Sequence, residues 1–406
     1  MNILVFNCGS SSLNSKVFTV QPGGGLSVAV RGKAHRVGVQ GSEPAFIEHQ
    51  LGGRHDEHTI ALPDHRTAAG LVLSYLRDQG VPLHAIGHRF VHGGSDFKQS
   101  VLLTPDVRPR IQQCLPLAPI HNPNSLSVIE VCDRELPGLP QYLTFDTAFH
   151  AGLPPESYTY ALPASLSQHF GLRKFGFHGL SYQYVTQRAA EHLGRPLQSL
   201  KLIACHLGTG GSSVVAVRNG QSLDTSMGYS PLAGLVMSTR TGDLDPAVPG
   251  YLIAQHGYDP ARLNQLFNKK SGLIGLSGFS SDLRDLVHAM DEDNNPRATL
   301  AFEIYTYRLK KTIGAFAVLL NGIDALLFTD DIGVQNGRVR EAACRGLEWC
   351  GIGIDPLLND QAPAGQIFDI GRSGWRVRVL SIPTDEEWVI ATEGIRLLGE
   401  VNHAHS

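Results

Sequence analysis

A chain of 406 residues, 42% hydrophobic and 17% charged, is long enough to build two cores, because single cores stop growing at roughly 250–300 residues. Its formal net charge of −3 offers no basic face for nucleic acid, and no apolar run approaches the roughly 18 residues that span a membrane. Six cysteines without a C-x-x-C pair suit free thiols. No signal-peptide pattern precedes the first strand, so a cytoplasmic protein with a small-molecule partner is expected.

The first residues set the theme. Asn2 to Val20 is an apolar run, a Gly/Ser turn and an alternating run, and Lys201 to Asn219 repeats the plan about half a chain later. A β-branched strand that opens into small residues leaves backbone N–H groups uncovered, and such nests bind anions. Two of them predict duplicated halves with a ligand between them. In a chain with 44 glycines, each alone is also an ordinary hairpin.

Further along, β-rich sequence runs to about Ile60, with Gly23-Gly24-Gly25 as a turn, and is followed by a helix over Thr67 to Gln79 and a strand entering Gly87 to Gly94. A helix over Pro105 to Cys114 precedes a stretch in which Pro119 and Pro123 preclude regular structure, and helix resumes from Asn124 to Cys132. Tyr142 to Thr147 reads as a short strand ending in a carboxylate. The second half offers strands over Leu202 to His206, Ser212 to Arg218 and Ala325 to Thr329. Its helices fall near Leu263 to Leu266, Asp282 to Ala289 and Pro296 to Leu320, with a helical tail over Glu386 to Val401 and a frayed end at His403 and His405.

Residues framed by Gly and Pro are candidates for chemistry, because irregular backbone presents side chains to a cleft. They are Arg89 with His92, His121, Asp146 with His150, His178 and Arg240. Arg240, set among Ser, Thr, Gly and Asp, resembles a bidentate phosphate clamp. Asp146, Asp243 and Glu386 offer hard oxygen ligands for Mg²⁺. His55-Asp56-Glu57-His58 reads as solvated surface more than as a metal site.

Taken together, Asn7 to Leu13, Arg89 to Gly94, Ala118 to Pro123, Phe145 to His150, Phe175 to Gly179, His206 to Gly210, Asp224 to Gly228, Thr239 to Pro246, Lys269 to Gly278 and Pro383 to Glu387 resemble the acetate kinase family nearly end to end. The resemblance implies an α/β protein with a duplicated ribonuclease-H-like (actin-like ATPase) fold, two domains and a central interdomain cleft. One domain would comprise residues 1–147 plus 386–406, and the other residues 148–385. It also implies a homodimer, Mg²⁺ with Mn²⁺ as an alternative, and reversible phosphoryl transfer from ATP to acetate. Carried over by motif, Arg89 and Arg240 hold the carboxylate and the moving phosphoryl group, His178 stabilises the transition state and His121 supports it. Asn7, Asp146 and Glu386 organise phosphate and metal, with Asn7 and Glu386 as the metal residues. The acetate methyl group would meet Val91, Ile120, Phe177 and Pro231. Ser10, Ser12, Lys16, His206, Gly208, Thr209, Gly210, Asp282, Leu283, Arg284, Asp330, Asp331, Ile332 and Gly333 would line the phosphate and nucleotide path.

The pattern is broken in places. Where the family has two glycines, this chain has Asp330 and Asp331, which add a Cβ and negative charge beside the donor. Thr209 replaces asparagine, and Asn14 replaces a lysine whose charge Lys16 is positioned to supply. Leu180 and Tyr182 stand where the family has threonine and histidine. These changes keep two alternatives open beside ATP: pyrophosphate as donor, or a ligand-sensing protein that retains the fold.

Overall fold

The computed structural model describes residues 1–39, 41 and 43–404, with the last four lacking described side chains; His405 therefore lies outside the described residues. The chain divides into two compact units, one of Met1–Ala151 together with the segment from Asp385 onward, the other of Gly152–Thr384.

The first unit is built on eight strands: β1 (Asn2–Cys8), β2 (Ser12–Val20), β3 (Leu26–His35), β4 (Phe46–Leu51), β5 (Arg54–Thr59), β6 (Ala85–Phe90), β7 (Val101–Leu102) and β8 (Gln141–Phe145). They lie in the order β5-β4-β3-β2-β1-β6-β8-β7. The second unit has β9 (Lys201–Gly208), β10 (Gly211–Arg218), β11 (Gln221–Thr225), β12 (Ala325–Thr329), β13 (Phe368–Asp369) and β14 (Arg378–Ser381), ordered β11-β10-β9-β12-β14-β13. The two sheets share one plan. In each, a hairpin (β1–β2 or β9–β10) is antiparallel, its first strand pairs parallel with the next in line (β6 or β12), and that strand pairs parallel with the one after it (β8 or β14). This is the duplication the two similar stretches predicted, and it is the α/β, ribonuclease-H-like architecture of both units.

Strand composition follows position. β9 and β12 are covered on both faces and read as near-continuous apolar runs, with Leu202 to Leu207 and Ala325 to Thr329 all buried. β5 closes the first sheet at its edge, and its sequence RHDEHT is polar throughout and mostly exposed, which blocks edge-to-edge pairing. There His55 Nε2 lies 3.9 Å from Glu48 and 4.0 Å from Glu57.

Helices cover the sheets. Pro296–Leu319 is capped by Asn295, whose side chain accepts from Arg297 N and Ala298 N, with Pro296 in its first turn. Its buried face steps through Ala301, Tyr305, Leu309, Ile313 and Ala317 at every fourth residue. The helix expected from Asn124 begins two residues earlier, at Asn122, with Pro123 in its first turn. Proline there needs no N–H partner, so the two prolines do not keep the segment irregular as far as Pro123. The helix Gly179–Leu193, which the apolar pattern does not announce, follows directly on His178.

The C-terminal helix Glu386–Ala404 is fixed to the first unit by one aromatic ring. Tyr142 Oη donates to the Ile390 carbonyl at 2.8 Å, and the ring passes between two glycines. A Cβ at Gly87 would fall 2.5 Å from Tyr142 Oη, and one at Gly394 2.3 Å from it, so neither position tolerates a side chain. Both glycines thus determine where Glu386 and Glu387 begin.

Two buried histidines make the fold acid-sensitive. His88 is 1% exposed and His49 is 3% exposed, and burial pushes each down to about 4. Unfolded histidine titrates near 6.5, so between pH 6.5 and 4 the unfolded chain binds more protons and stability falls as pH drops. Each histidine contributes up to roughly 1.4 kcal/mol per pH unit in that window. Urea midpoints measured from pH 7 to 4.5 should decline for the native sequence, and His88→Gln should show a shallower decline whatever its absolute stability.

Candidate active site

In the first unit the site is built from the carboxyl end of β8, the end of β6 and the start of the C-terminal helix. Asp146, one residue past β8 and 1% exposed, takes both arms of the Arg89 guanidinium: Nε to Oδ1 at 2.8 Å and Nη2 to Oδ2 at 2.5 Å. A bidentate, buried pair of this kind fixes guanidinium orientation as well as charge. Burial alone would lower the Arg89 pKa, but Asp146 and Glu386 more than offset it and hold the group well above its usual range. Asn7 links the set. Its oxygen accepts from Arg89 Nη1 at 3.1 Å, and its amide nitrogen donates to Glu386 at 3.1 Å and Glu387 at 2.8 Å.

Lys16 does not stand as a spare cation. Its Nζ is 2.8 Å from Asp385 and 3.1 Å from Glu387, so the charge that replaces the missing lysine at 14 is already balanced by carboxylates. Burial opposes ionisation of Glu387, but Lys16 and Asn7 outweigh it and keep the carboxyl below the ordinary range. Ser10 is exposed and Ser12 half-buried in the β1–β2 turn, which closes through Gly9 N to Ser12 O at 2.9 Å, with His65 Nε2 against both carbonyls. His121 stands at the N-terminus of the helix Asn122–Glu135, and Asn122 pins that corner to the His92 backbone. Val91 is buried, whereas Ile120 is 48% exposed.

In the second unit the β9–β10 hairpin is the centre. Gly211 carries two groups against its bare Cα: a Cβ there would lie 3.1 Å from Arg240 Nη1 and 3.6 Å from His178 Nε2. Arg240 and His178 therefore both lie against the hairpin. Arg240 touches the Pro231 carbonyl at 3.3 Å and Met237 Sδ at 3.9 Å, and no carboxylate among the described residues is paired with it. Burial with no compensating acid lowers its pKa. A partly buried cation left without an acid is suited to meeting an anion. His178 has φ of 59°, a strained value for a non-glycine residue, and Phe177 beside it is 2% exposed. Asp243, read from sequence as an oxygen ligand, instead accepts from Gly234 N at 2.7 Å and pins a turn.

The two aspartates that replace glycines lie on the loop's own donors. Asp330 Oδ2 is 3.1 Å from His206 Nε2, and its carboxylate rests against Gly208 so closely that a Cβ there would fall 2.0 Å away. Asp331 grips Thr209 with both oxygens, taking the backbone N–H at 3.0 Å and the hydroxyl at 2.8 Å. Asp330 itself holds φ of 64°, a conformation that glycine adopts freely and aspartate only at a cost. Gly210 lies exposed at the tip of the hairpin, while Ile332 and Gly333 are buried in the helix Asp330–Gln335. Arg340, 2% exposed, ties the end of that helix by donating to the Gly333 and Val334 carbonyls. Beyond it opens a cavity of about 510 Å³ lined by Arg284, His288, Asn336, Arg340 and Asn359. Asp282 caps the helix that carries buried Leu283 and exposed Arg284, and holds the Arg284 guanidinium.

Residues 2–392 match the sequence profile of the Acetokinase family. The chain belongs to that family. An acetate kinase from Caldicellulosiruptor saccharolyticus is 45% identical over 98% of this chain and 100% of its own length. Crystal structures agree: acetate kinase from Entamoeba histolytica superposes with a TM-score of 0.88 at 42% identity, covering 98% of this chain and 99% of that one. A propionate kinase from Francisella tularensis gives 0.87 at 33% identity, covering 97% and 98%. Membership in the Acetokinase family makes this protein a phosphotransferase with a carboxyl group as acceptor.

Gly211, Ser213 and Glu387 were not singled out by sequence reasoning. The only signal for Gly211 is a second glycine after Gly210 where a two-residue turn needs one. Its backbone lies outside the left-handed region, so Gly211→Ala should fold normally. The added methyl would displace Arg240 by tenths of an ångström while touching His178 at ordinary contact distance, and turnover should fall about tenfold or more while the thermal midpoint barely moves. Paired kinetic and melting measurements check this.

Proposed function

We propose that this acetokinase transfers the terminal phosphoryl group of ATP to acetate, reversibly, forming acetyl phosphate and ADP. The observation that carries the reading is that Arg240 and His178 Nε2 lie against one glycine hairpin, with no acid among the described residues paired to the guanidinium. Acetate is ionised at neutral pH, so no general base is required. A carboxylate oxygen forms the new bond to phosphorus, the bond from phosphorus to the bridging oxygen breaks, and ADP leaves with that electron pair. What remains is to align two anions and neutralise the charge spreading over the equatorial oxygens, which is work for Arg240 and His178.

Mg²⁺ is the cation we propose, because Asp146 and Glu386 both flank Arg89 and carry hard carboxylate oxygens. When bound, it would neutralise charge on the polyphosphate. Asn7 turns its nitrogen to Glu386 and Glu387, which suits it to orienting those carboxylates. ATP is favoured as donor by the 510 Å³ cavity, a size fit for a nucleoside and one that a bare diphosphate would leave unused. The phosphate hairpin meets the start of the helix Asp330–Gln335 and the cavity lies at its end, a rise of roughly 9 Å for six residues.

The assay is hydroxamate trapping of acetyl phosphate with acetate, Mg²⁺ and either ATP or pyrophosphate. Product should form with ATP, and Arg240→Ala should lower kcat by a hundredfold or more without unfolding the protein, as loss of one charge-stabilising donor does elsewhere. Product with pyrophosphate alone would refute the ATP reading, and near-native turnover by Arg240→Ala would refute the clamp.

A homodimer and a cytoplasmic location complete the proposal. The helix Ala247–His256 (AVPGYLIAQH) is largely apolar yet buries none of its residues, with Tyr251 58% exposed and Ile253 48% exposed. An apolar helix left open to water is suited to a second copy of this chain. Light scattering should give a dimer for the native protein and a monomer for Ile253→Asp. All six cysteines are free, which agrees with a reducing compartment.

A further inference from the structure

Ser213 lies on β10 two residues beyond Gly211 and is fully buried, so its side chain shares the face that meets His178 and Arg240. Its Oγ is 2.8 Å from His178 Nδ1 and 2.5 Å from Tyr182 Oη. Tyr182, also fully buried, stands four residues after His178 in the first turns of the helix Gly179–Leu193, one of the positions where this chain departs from the family pattern.

The direction of the chain follows from the work assigned to His178. An Nε2 that stabilises anionic phosphoryl oxygens must carry the proton, so Nδ1 accepts from the Ser213 hydroxyl, and Ser213 Oγ in turn accepts from the Tyr182 hydroxyl. We infer that Tyr182 and Ser213 are positioning residues that hold His178 as the neutral tautomer protonated on Nε2, so that it presents an N–H, beside Arg240, to the phosphoryl oxygens.

The neighbouring ring supports a neutral His178. The His206 imidazole stacks on it with centroids 4.0 Å apart and has Asp330 within 3.1 Å of its Nε2. Two imidazolium rings at that distance would repel each other, and the carboxylate favours His206 as the one to carry charge. A neutral donor also fits a reaction that moves no proton.

The inference rests on the proposed role of His178, but its test does not. Nitrogen-15 NMR of the histidines in the full-length protein, with His178 assigned by comparison with His178→Gln, should show an unprotonated Nδ1 and a protonated Nε2 at neutral pH. Ser213→Ala should mix the tautomers and lower kcat about tenfold to a hundredfold, the usual cost of removing the partner that orients a functional histidine, with the KM for acetate nearly unchanged. Tyr182→Phe, which keeps the ring packed, should shift the tautomer in the same direction, and Ser213→Thr, which keeps the hydroxyl, should restore both readouts. A native His178 protonated on Nδ1, or a Ser213→Ala variant with native tautomer and native kcat, overturns the inference. Full turnover by His178→Gln would instead refute the role of His178 in the proposed function, leaving the NMR result to judge the relay.

Discussion

Two glycines facing each other across one hairpin decide what the second unit can do. Gly208 and Gly211 are paired in register, and each offers its bare Cα to a different charge: Gly208 to the Asp330 carboxylate, Gly211 to the Arg240 guanidinium beside the His178 ring. Any side chain at either position would occupy the space those groups use. A small steric permission, two missing methyl groups, thereby sets a negative and a positive pole on either side of one turn.

The first unit solves the same problem by pairing. Arg89 is neutralised by Asp146, and Lys16 by Asp385 and Glu387, so this half carries its charges in closed, oriented sets. Among the described residues, the second half leaves Arg240 without an acid. Breaking a buried pair costs about 3–5 kcal/mol, whereas a cation lacking a partner gains by meeting an anion, so the two arginines differ in kind despite their similar settings in the sequence. The exposed donors of the β9–β10 turn are in turn held by Asp331, so an incoming phosphate must compete with a carboxylate for the Thr209 N–H.

Much of this was legible in the sequence because it depends on local chemistry. Repeated strand–turn–strand stretches gave the duplicated sheets, and Asn295-Pro296 and the spacing of apolar residues gave the long helix of the second unit. Arg240 and His178, both marked by motif, lie against one glycine hairpin. What escaped was set by distant contacts. Pro123 looked like a breaker because its place in the first helical turn depends on where Asn122 is pinned. Lys16 looked like a free charge because its partners lie far away in sequence, and Ser213 gave no signal because its importance comes from two side chains on another element.

The Tyr142 ring threaded between Gly87 and Gly394 has a consequence for how the protein is made. It docks the last helix beneath the first strand, and Asn7 meets Glu386 across 379 positions of chain. On the ribosome, the opening hairpin must wait through nearly all of translation before its acidic partners emerge, so a truncated or stalled product would carry a formed sheet and an unfinished acidic corner.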